Sequence, residues 1–123
     1  MHAVDWMPTL CALTGATPKK DLKWDGTNVW SAISEPTKPF PVRTLYTASP
    51  GFRAQAVRHG DWKLIVTHEG NKKNKTTGEE LFNLATDFGE KKNVAADRPD
   101  ILAEMKKRLA EISSRDRDAV AND

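Results

Sequence analysis

Several features that define common protein classes are missing from this sequence of 123 residues. Its single cysteine, Cys11, excludes an internal disulfide, and the apolar neighbours in "TLCALTG" favour a buried, unreactive thiol. No apolar run is long enough to span a bilayer. The opening "MHAVDWMPTL" also lacks the basic and apolar regions of a signal peptide. We therefore expect no attachment to a membrane.

An excess of charge of one sign is also missing. The chain has 19 basic and 17 acidic residues, which gives a formal net charge of +2. Such a balance provides no electrostatic basis for binding nucleic acid. The length and the 38% of hydrophobic residues suit a modest globular chain with a hydrophobic core.

The motifs of self-contained active sites are missing as well. His2, His59 and His68 are far apart and lack the spacing of a metal site. No G-x-S-x-G nucleophile elbow is present. "GNKKNKTTG" resembles a phosphate-binding loop in composition but lacks the P-loop spacing. The residues by themselves therefore predict no complete catalytic site.

The residues that are present predict helices at the front of the chain. A first helix is expected after Asp5 as its N-cap, with Pro8 in the first turn and Gly15 as the left-handed end. "NVWSAIS" predicts a short second helix. "EPTKPFP" must then be an extended loop because three of its seven residues are proline. The residues expected on the apolar faces of the two helices are Trp6, Leu10, Leu13, Val29, Trp30 and Ile33.

The middle of the chain predicts an antiparallel meander. The strand candidates are "RTLYTAS", "AQAVRHG", "DWKLIVT" and the short "EELFNL". A tight turn at His59–Asp61 makes the second and third a hairpin. A polar loop from His68 to Gly78 leads to the last element, and the short connections favour antiparallel pairing. By the alternation of strands, Trp62, Leu64 and Val66 share one face.

The last segment predicts a helix that covers this sheet. Asp97 is expected as its N-cap, with Pro99 in the first turn and Asp100 completing a capping box. The predicted fold class is therefore α+β, a small antiparallel β-sheet of three to four strands packed against a C-terminal α-helix, with an N-terminal helical lead. The apolar stripe of the helix consists of Ile101, Leu102, Met105, Leu109 and Ile112.

Four motifs, taken in order, resemble the C-terminal portion of a type I sulfatase of the alkaline-phosphatase-like superfamily. They are "VDWMPTLCALTGA", "DGTNVWSAI", "AVRHGDWKLI" and "LFNLATDFGEKKNVAADRPDILAEM". Phe88 stands where the family usually has proline. The positions that match the family pattern are Asp5, Pro8, Thr9, Leu10, Asp25, Gly26, Val57, Arg58, Gly60, Trp62, Lys63, Leu64, Leu81, Phe82, Asn83, Leu84, Asp87, Glu90, Asn93 and Val94.

The resemblance implies an enzyme family whose catalytic parts are not in this chain. Type I sulfatases use a formylglycine made from a C/S-x-P-S-R motif, and a calcium ion held by Asp and Asn side chains. Cys11 is followed by Ala-Leu-Thr, and "SEPTK" and "SPGFR" match the motif only in part. We therefore expect no catalytic residue, metal site or cofactor in this chain, and calcium and formylglycine only in full-length relatives.

The resemblance also implies a division of labour along the chain. Residues 1–41 are expected to be a helical segment left over from the large sulfatase domain, and residues 42–123 the C-terminal subdomain. The implied partner is the missing N-terminal catalytic domain, and self-association through residues 1–33 is the second expected contact. An export to the periplasm or outside the cell follows only from family habit.

Two functional hypotheses follow. The first is a sulfatase portion, inactive alone, that completes the fold and the rim of the substrate cleft. The loop that would reach the cleft carries His68, Lys72 and Lys73 as the predicted substrate-binding residues, whose charges suit sulfate groups. The alternative is a stand-alone binding or scaffold module. The sequence leaves open whether the chain is a truncated piece, the product of a split gene or such a module, and which sulfate ester its parent hydrolyses.

Overall fold

The structure is a computed structural model, and it describes residues 2–22, 24–35, 37, 42–69 and 76–115. Two short turns of 3-10 helix occur at Ala3–Asp5 and Pro50–Phe52. The regular elements are helices α1 (Trp6–Thr14) and α2 (Trp30–Ser34), strands β1 (Thr44–Ala48), β2 (Ala54–His59), β3 (Trp62–Glu69) and β4 (Thr76–Asn83), and helix α3 (Pro99–Ser113).

The chain divides into two compact units, Met1–Pro41 and Val42–Asp123. In the first unit, Asp5 precedes α1, and Gly15 ends the helix in the left-handed conformation with φ of 70°. Glycine suits this position because a side chain would be strained there. Gly15 confirms the expectation from the sequence, whereas Asp5 stands at the N-cap position without a capping hydrogen bond from its side chain to α1.

The second unit is an antiparallel meander in which each strand pairs with the next along the chain, in the order β1-β2-β3-β4. The predicted hairpin joins β2 to β3, with His59 opposite Trp62. Gly60 occupies its turn with φ of 59°, a conformation that favours glycine. The α+β prediction is confirmed, with four strands and helices at both ends.

The hydrophobic core lies between one face of this sheet and α3. Val57, Leu64 and Leu81 stand opposite one another on three adjacent strands, and none has exposed surface. Met105 and Leu109 of α3 are buried against them, and Trp62 and Ile112 pack around this cluster. Each fully buried aliphatic side chain contributes about 2 kcal/mol relative to exposure. The predicted shared face and helix stripe are both confirmed.

The predicted cap of α3 is wrong. The residue before the helix is Arg98, which makes no capping hydrogen bond with its side chain, and Pro99 is the first helical residue. Proline fixes the helix start at this place because its missing N–H needs no partner there. Asp97 therefore lies one residue too early to cap, and Asp100 lies in the first turn without a capping box.

The predicted polar loop from His68 to Gly78 is too long at both ends. His68 and Glu69 belong to β3, and Thr76 to Gly78 belong to β4. The ladder continues because Thr76 and Thr77 are β-branched and favour extended backbone. Gly78 fits beside Thr67, where an added Cβ would lie 2.5 Å from the Thr67 hydroxyl oxygen.

The apolar faces expected for the front helices are buried only in part. Val29 is buried, but Trp30 and Ile33 are 45% and 41% exposed. Trp6, Leu10 and Leu13, the expected apolar face of α1, are each 47% exposed. The loop "EPTKPFP" lies largely outside the described residues.

Among the residues that the structure describes, no helix combines the length and apolar character needed to cross a bilayer.

Truncation of the central core residue is expected to destabilise the chain strongly. Leu64→Ala removes buried methyl groups at the centre of the row and leaves a cavity, so the free energy of unfolding should fall by about 3 kcal/mol. Val42→Ala, at a position that is 67% exposed, is the control and should change it by less than about 0.5 kcal/mol. Urea unfolding of both variants measures this. Similar losses in the two would contradict the core described above.

Candidate functional site

The first motif contains a buried carboxylate, Asp5, that holds two backbone segments together through hydrogen bonds. The Asp5 carboxylate has no exposed surface, and it accepts hydrogen bonds from the backbone N–H groups of His2 at 2.7 Å and Thr27 at 3.2 Å. A buried carboxylate is costly unless such donors surround it. Asp5 therefore joins the backbone just before α1 to the backbone at Thr27, shortly before α2.

Two further motif residues, Thr9 and Gly26, hold the same part of the backbone. The buried Thr9 hydroxyl accepts a hydrogen bond of 3.0 Å from the N–H of Val29. Gly26 approaches the backbone so closely that an added Cβ would lie 1.9 Å from the Val4 carbonyl oxygen. Only glycine fits this contact. The motif residues Asp5, Thr9 and Gly26 thus have structural roles in the folding of this segment of backbone.

The third and fourth motifs are joined by an ion pair. The Lys63 ammonium lies 2.7 Å from both carboxylate oxygens of Glu90, and both side chains are about 30% exposed (27% and 31%). Glu90 has a positive φ of 53°, which is unusual for a residue with a side chain. The ion pair with Lys63 explains why Glu90 keeps this strained backbone conformation.

The remaining residues of the fourth motif hold the segment after β4. The Asn93 side-chain oxygen accepts hydrogen bonds from the N–H groups of Leu81 and Ala95. The Asp87 carboxylate accepts two bonds of 2.8 Å from the N–H groups of Lys91 and Lys92. These N–H donors, that of Lys92 first, lower the pKa of the Asp87 carboxyl below its ordinary value of 3.8.

The polar residues of the hairpin also make local contacts. The Arg58 guanidinium donates to the Gly60 carbonyl at 3.2 Å, and the His59 ring lies 3.0 Å from the Thr44 hydroxyl. The Arg58 contact lies within the hairpin, whereas the His59–Thr44 and Lys63–Glu90 contacts join the hairpin to its neighbours. The Thr44 hydroxyl lies within reach of the His59 ring, but no described carboxylate is hydrogen-bonded to that ring to orient it as a base. The arrangement therefore suits a structural role.

The predicted substrate-binding residues are only partly placed by the structure. His68 is half-buried near the end of β3, opposite Thr77, and its N–H donates to the Arg53 carbonyl at 2.7 Å. Lys72 and Lys73 lie outside the described residues. The same end of the sheet holds the β1–β2 turn with Phe52 and Arg53, which sequence reasoning did not select as binding residues.

Proteins of known identity are similar to this chain in sequence or in fold. Arylsulfatase J of Mus musculus is 31% identical over 62 residues, which is 50% of this chain and 10% of that protein. A solved 2-O GAG sulfatase is 27% identical with a TM-score of 0.62, and the match covers 93% of this chain and 25% of that one. No family model matches.

Two further solved structures agree. Ps i-CgsB in complex with k-i-k-neocarrahexaose is 26% identical with a TM-score of 0.62, over 89% of this chain and 23% of that one. A protein of glycosaminoglycan metabolism in Bacteroides thetaiotaomicron, 19% identical with a TM-score of 0.69, shares the fold over 90% of this chain and 24% of its own.

The chain thus spans a tenth of the curated relative and about a quarter of the solved ones. Nearly all of it is nevertheless matched by the solved sulfatases. The resemblance to a C-terminal subdomain of a type I sulfatase is therefore confirmed.

The residues present do not fit the formylglycine and calcium of this family. Cys11 lies near the middle of α1 and is not followed by the residues of the C/S-x-P-S-R motif. The carboxylates of Asp5, Asp87 and Glu90 are engaged by backbone N–H groups or by Lys63. In the part of the chain that the structure describes, no three His, Cys, Asp or Glu side chains are grouped to hold a metal ion.

The Asp87 turn predicts a specific response to acid. Because the folded pKa lies below the unfolded one, the stabilising contribution of Asp87 is present above pH 3.8 and is lost as the pH falls through the folded pKa. Asp87→Asn keeps an acceptor oxygen but cannot titrate. Its unfolding midpoint in urea should therefore fall less than that of the wild type between about pH 5 and about pH 2.5.

Asp97→Asn is the matched control, since the Asp97 side chain makes no hydrogen bond with another described residue. Its midpoint should follow that of the wild type across the same titration. A wild type and an Asp87→Asn variant with parallel acid profiles would contradict the assigned role of the carboxylate.

Proposed function

We propose that this chain is the C-terminal portion of a sulfuric ester hydrolase, which completes the fold of that enzyme and part of the rim of its substrate cleft. The observation that carries the proposal is the asymmetry of the match. Solved sulfatases account for about nine-tenths of this chain, whereas this chain accounts for about a quarter of them.

The use of the motif residues supports inactivity of the chain alone. Three residues that match the family pattern hold backbone segments together by hydrogen bonds or by close backbone approach: Asp5, Asn93 and Gly26. A catalytic carboxylate or nucleophile must instead be free to approach a substrate. The catalytic groups of the enzyme would then belong to its N-terminal domain, which is the partner of this chain.

Sulfated carbohydrate is the proposed substrate class of the enzyme. Two of the solved relatives above 25% identity are a 2-O GAG sulfatase and a protein bound to a neocarrahexaose. His68 at the end of β3, with Lys72 and Lys73 beyond it in sequence, would meet the sulfate groups of such a substrate through charge and hydrogen bonds.

The activity proposal predicts complementation. The chain alone should not hydrolyse an aryl sulfate, with or without calcium. Co-expressed with an N-terminal sulfatase domain that carries C/S-x-P-S-R, it should restore turnover. In that complex Lys72→Gln with Lys73→Gln should raise KM for a sulfated disaccharide about fivefold at nearly unchanged kcat, since each lost ion contact weakens binding by about 0.5 kcal/mol.

The matched control for this pair is Lys106→Gln, whose lysine pairs with Glu79 and lies on α3. Its KM should equal that of the wild type. Turnover by the chain alone would overturn the proposal. Binding of a partner without any gain in turnover would support instead the stand-alone module, which the self-contained core of residues 42–115 makes structurally possible.

Self-association is the second contact proposed for this chain. Trp6, Trp24 and Trp30 are 47%, 36% and 45% exposed, and they lie within residues 1–33 together with other exposed apolar side chains. Water-exposed aromatic area of this extent favours association. We therefore expect the purified chain to dimerise when its N-terminal partner is absent.

Size-exclusion chromatography with light scattering tests this contact. The wild type should show a dimer whose population falls on dilution. Trp6→Gln with Trp30→Gln should shift it to the monomer, whereas Phe88→Gln, at a side chain that is 91% exposed in the second unit, should leave it unchanged. A wild type that is monomeric at high concentration would contradict the proposal.

A further inference from the structure

Two residues other than glycine have a positive φ among those that the structure describes, and only one has an evident reason in the fold. Glu90, with φ of 53°, directs its carboxylate onto Lys63. Phe52, with φ of 54°, has a side chain that is 53% exposed. An aromatic residue is disfavoured in this conformation, and such strain persists chiefly at functional positions. Phe52 therefore requires an explanation outside the packing of the sheet.

The turn that carries Phe52 is firmly held. Ser49 donates its N–H to the Ala54 carbonyl and accepts the Ala54 N–H with its hydroxyl, each at 2.8 Å. Its carbonyl also accepts the N–H of Phe52 at 2.9 Å. Gly51, with φ of 72°, completes the reversal and leaves open space around it. The ring of Phe52 is thus presented to solvent on a pre-organised backbone.

Two basic residues belong to the same end of the sheet as this turn. Arg53 follows it directly and is exposed, and the Arg53 carbonyl accepts the 2.7 Å hydrogen bond from His68 on β3. Neither the Arg53 guanidinium nor the His68 imidazole makes an ion pair or hydrogen bond with another described residue. The end of the sheet therefore combines an exposed aromatic ring with two basic groups that have free donors.

We propose that Phe52, Arg53 and His68 form a binding surface for a sulfated sugar, in which the ring contacts the apolar face of a pyranose and the two basic side chains bind its sulfate. Arginine suits this role because its planar donors match the oxygens of a tetrahedral anion. An aromatic ring held in one orientation binds at little cost in conformational entropy. The proposal rests on the sulfated-carbohydrate substrate proposed above and assigns residues to it.

Isothermal titration calorimetry of the full chain with a heparin-derived hexasaccharide tests the surface. We expect wild-type binding that weakens with added salt and is lost with the desulfated hexasaccharide. Phe52→Asn should weaken binding about tenfold, and Arg53→Gln about fivefold. Phe52→Tyr, which keeps the ring, should bind as the wild type does.

The asparagine variant also separates binding from folding. Asparagine tolerates a positive φ better than phenylalanine, so Phe52→Asn should unfold at the same temperature as the wild type or higher. Loss of binding without loss of stability is the expected signature. Phe88→Asn and Arg115→Gln, exposed residues outside this turn, are the controls and should bind within twofold of the wild type.

The outcomes also distinguish this surface from the proposed function. Restored turnover in the complemented enzyme, with unchanged KM in Phe52→Asn and Arg53→Gln, would overturn the surface and leave the sulfatase assignment standing. Sugar binding that depends on the Phe52 ring, without restored turnover in the complex, would support the binding surface and contradict the proposed sulfatase function. If Phe52→Asn bound the hexasaccharide as tightly as the wild type, the proposed surface would be contradicted. The same holds if the variant lost dimerisation but not hexasaccharide binding.

Discussion

The second unit depends on the alignment of three buried side chains across three strands. Val57, Leu64 and Leu81 face α3 with no exposed surface, so the pairing register of β2, β3 and β4 is fixed. A slip by one residue would turn this row toward the other face and expose it, because side chains alternate along a strand. The same register places Lys63 on the opposite face, where it meets Glu90.

The motifs that reveal ancestry are those that determine the path of the backbone. Asp5 and Asn93 each satisfy backbone N–H groups from distant segments, and Gly26 permits a close backbone approach. Few side chains can replace such groups, because the neighbouring N–H or carbonyl would be left without space or a partner. This explains how a chain without the family's catalytic motif can still carry a strong family signature.

The parts of the fold that follow from local periodicity were predictable from the sequence. The strands, the hairpin and the α3 stripe follow from alternation and from the 3.6-residue repeat. The start of α3 at Pro99 and the extension of β3 through Glu69 depended on finer local geometry. The exposure of Trp30 depended on tertiary packing, which periodicity does not report. The positive φ of Phe52 was not predictable, because the residue type argues against it.

The two units differ in how fully they bury their own apolar residues. In the second unit, the described strands and α3 enclose a complete core between them. In the first, Val29 is buried, but Trp6, Leu10 and Leu13 remain half exposed although α1 is well capped by Gly15. Local hydrogen bonds at Asp5 and Thr9 define the path of this unit without supplying a cover for its apolar face. Uncovered apolar area is therefore concentrated in the described part of residues 1–33, whereas the sheet of the second unit encloses its own core with α3.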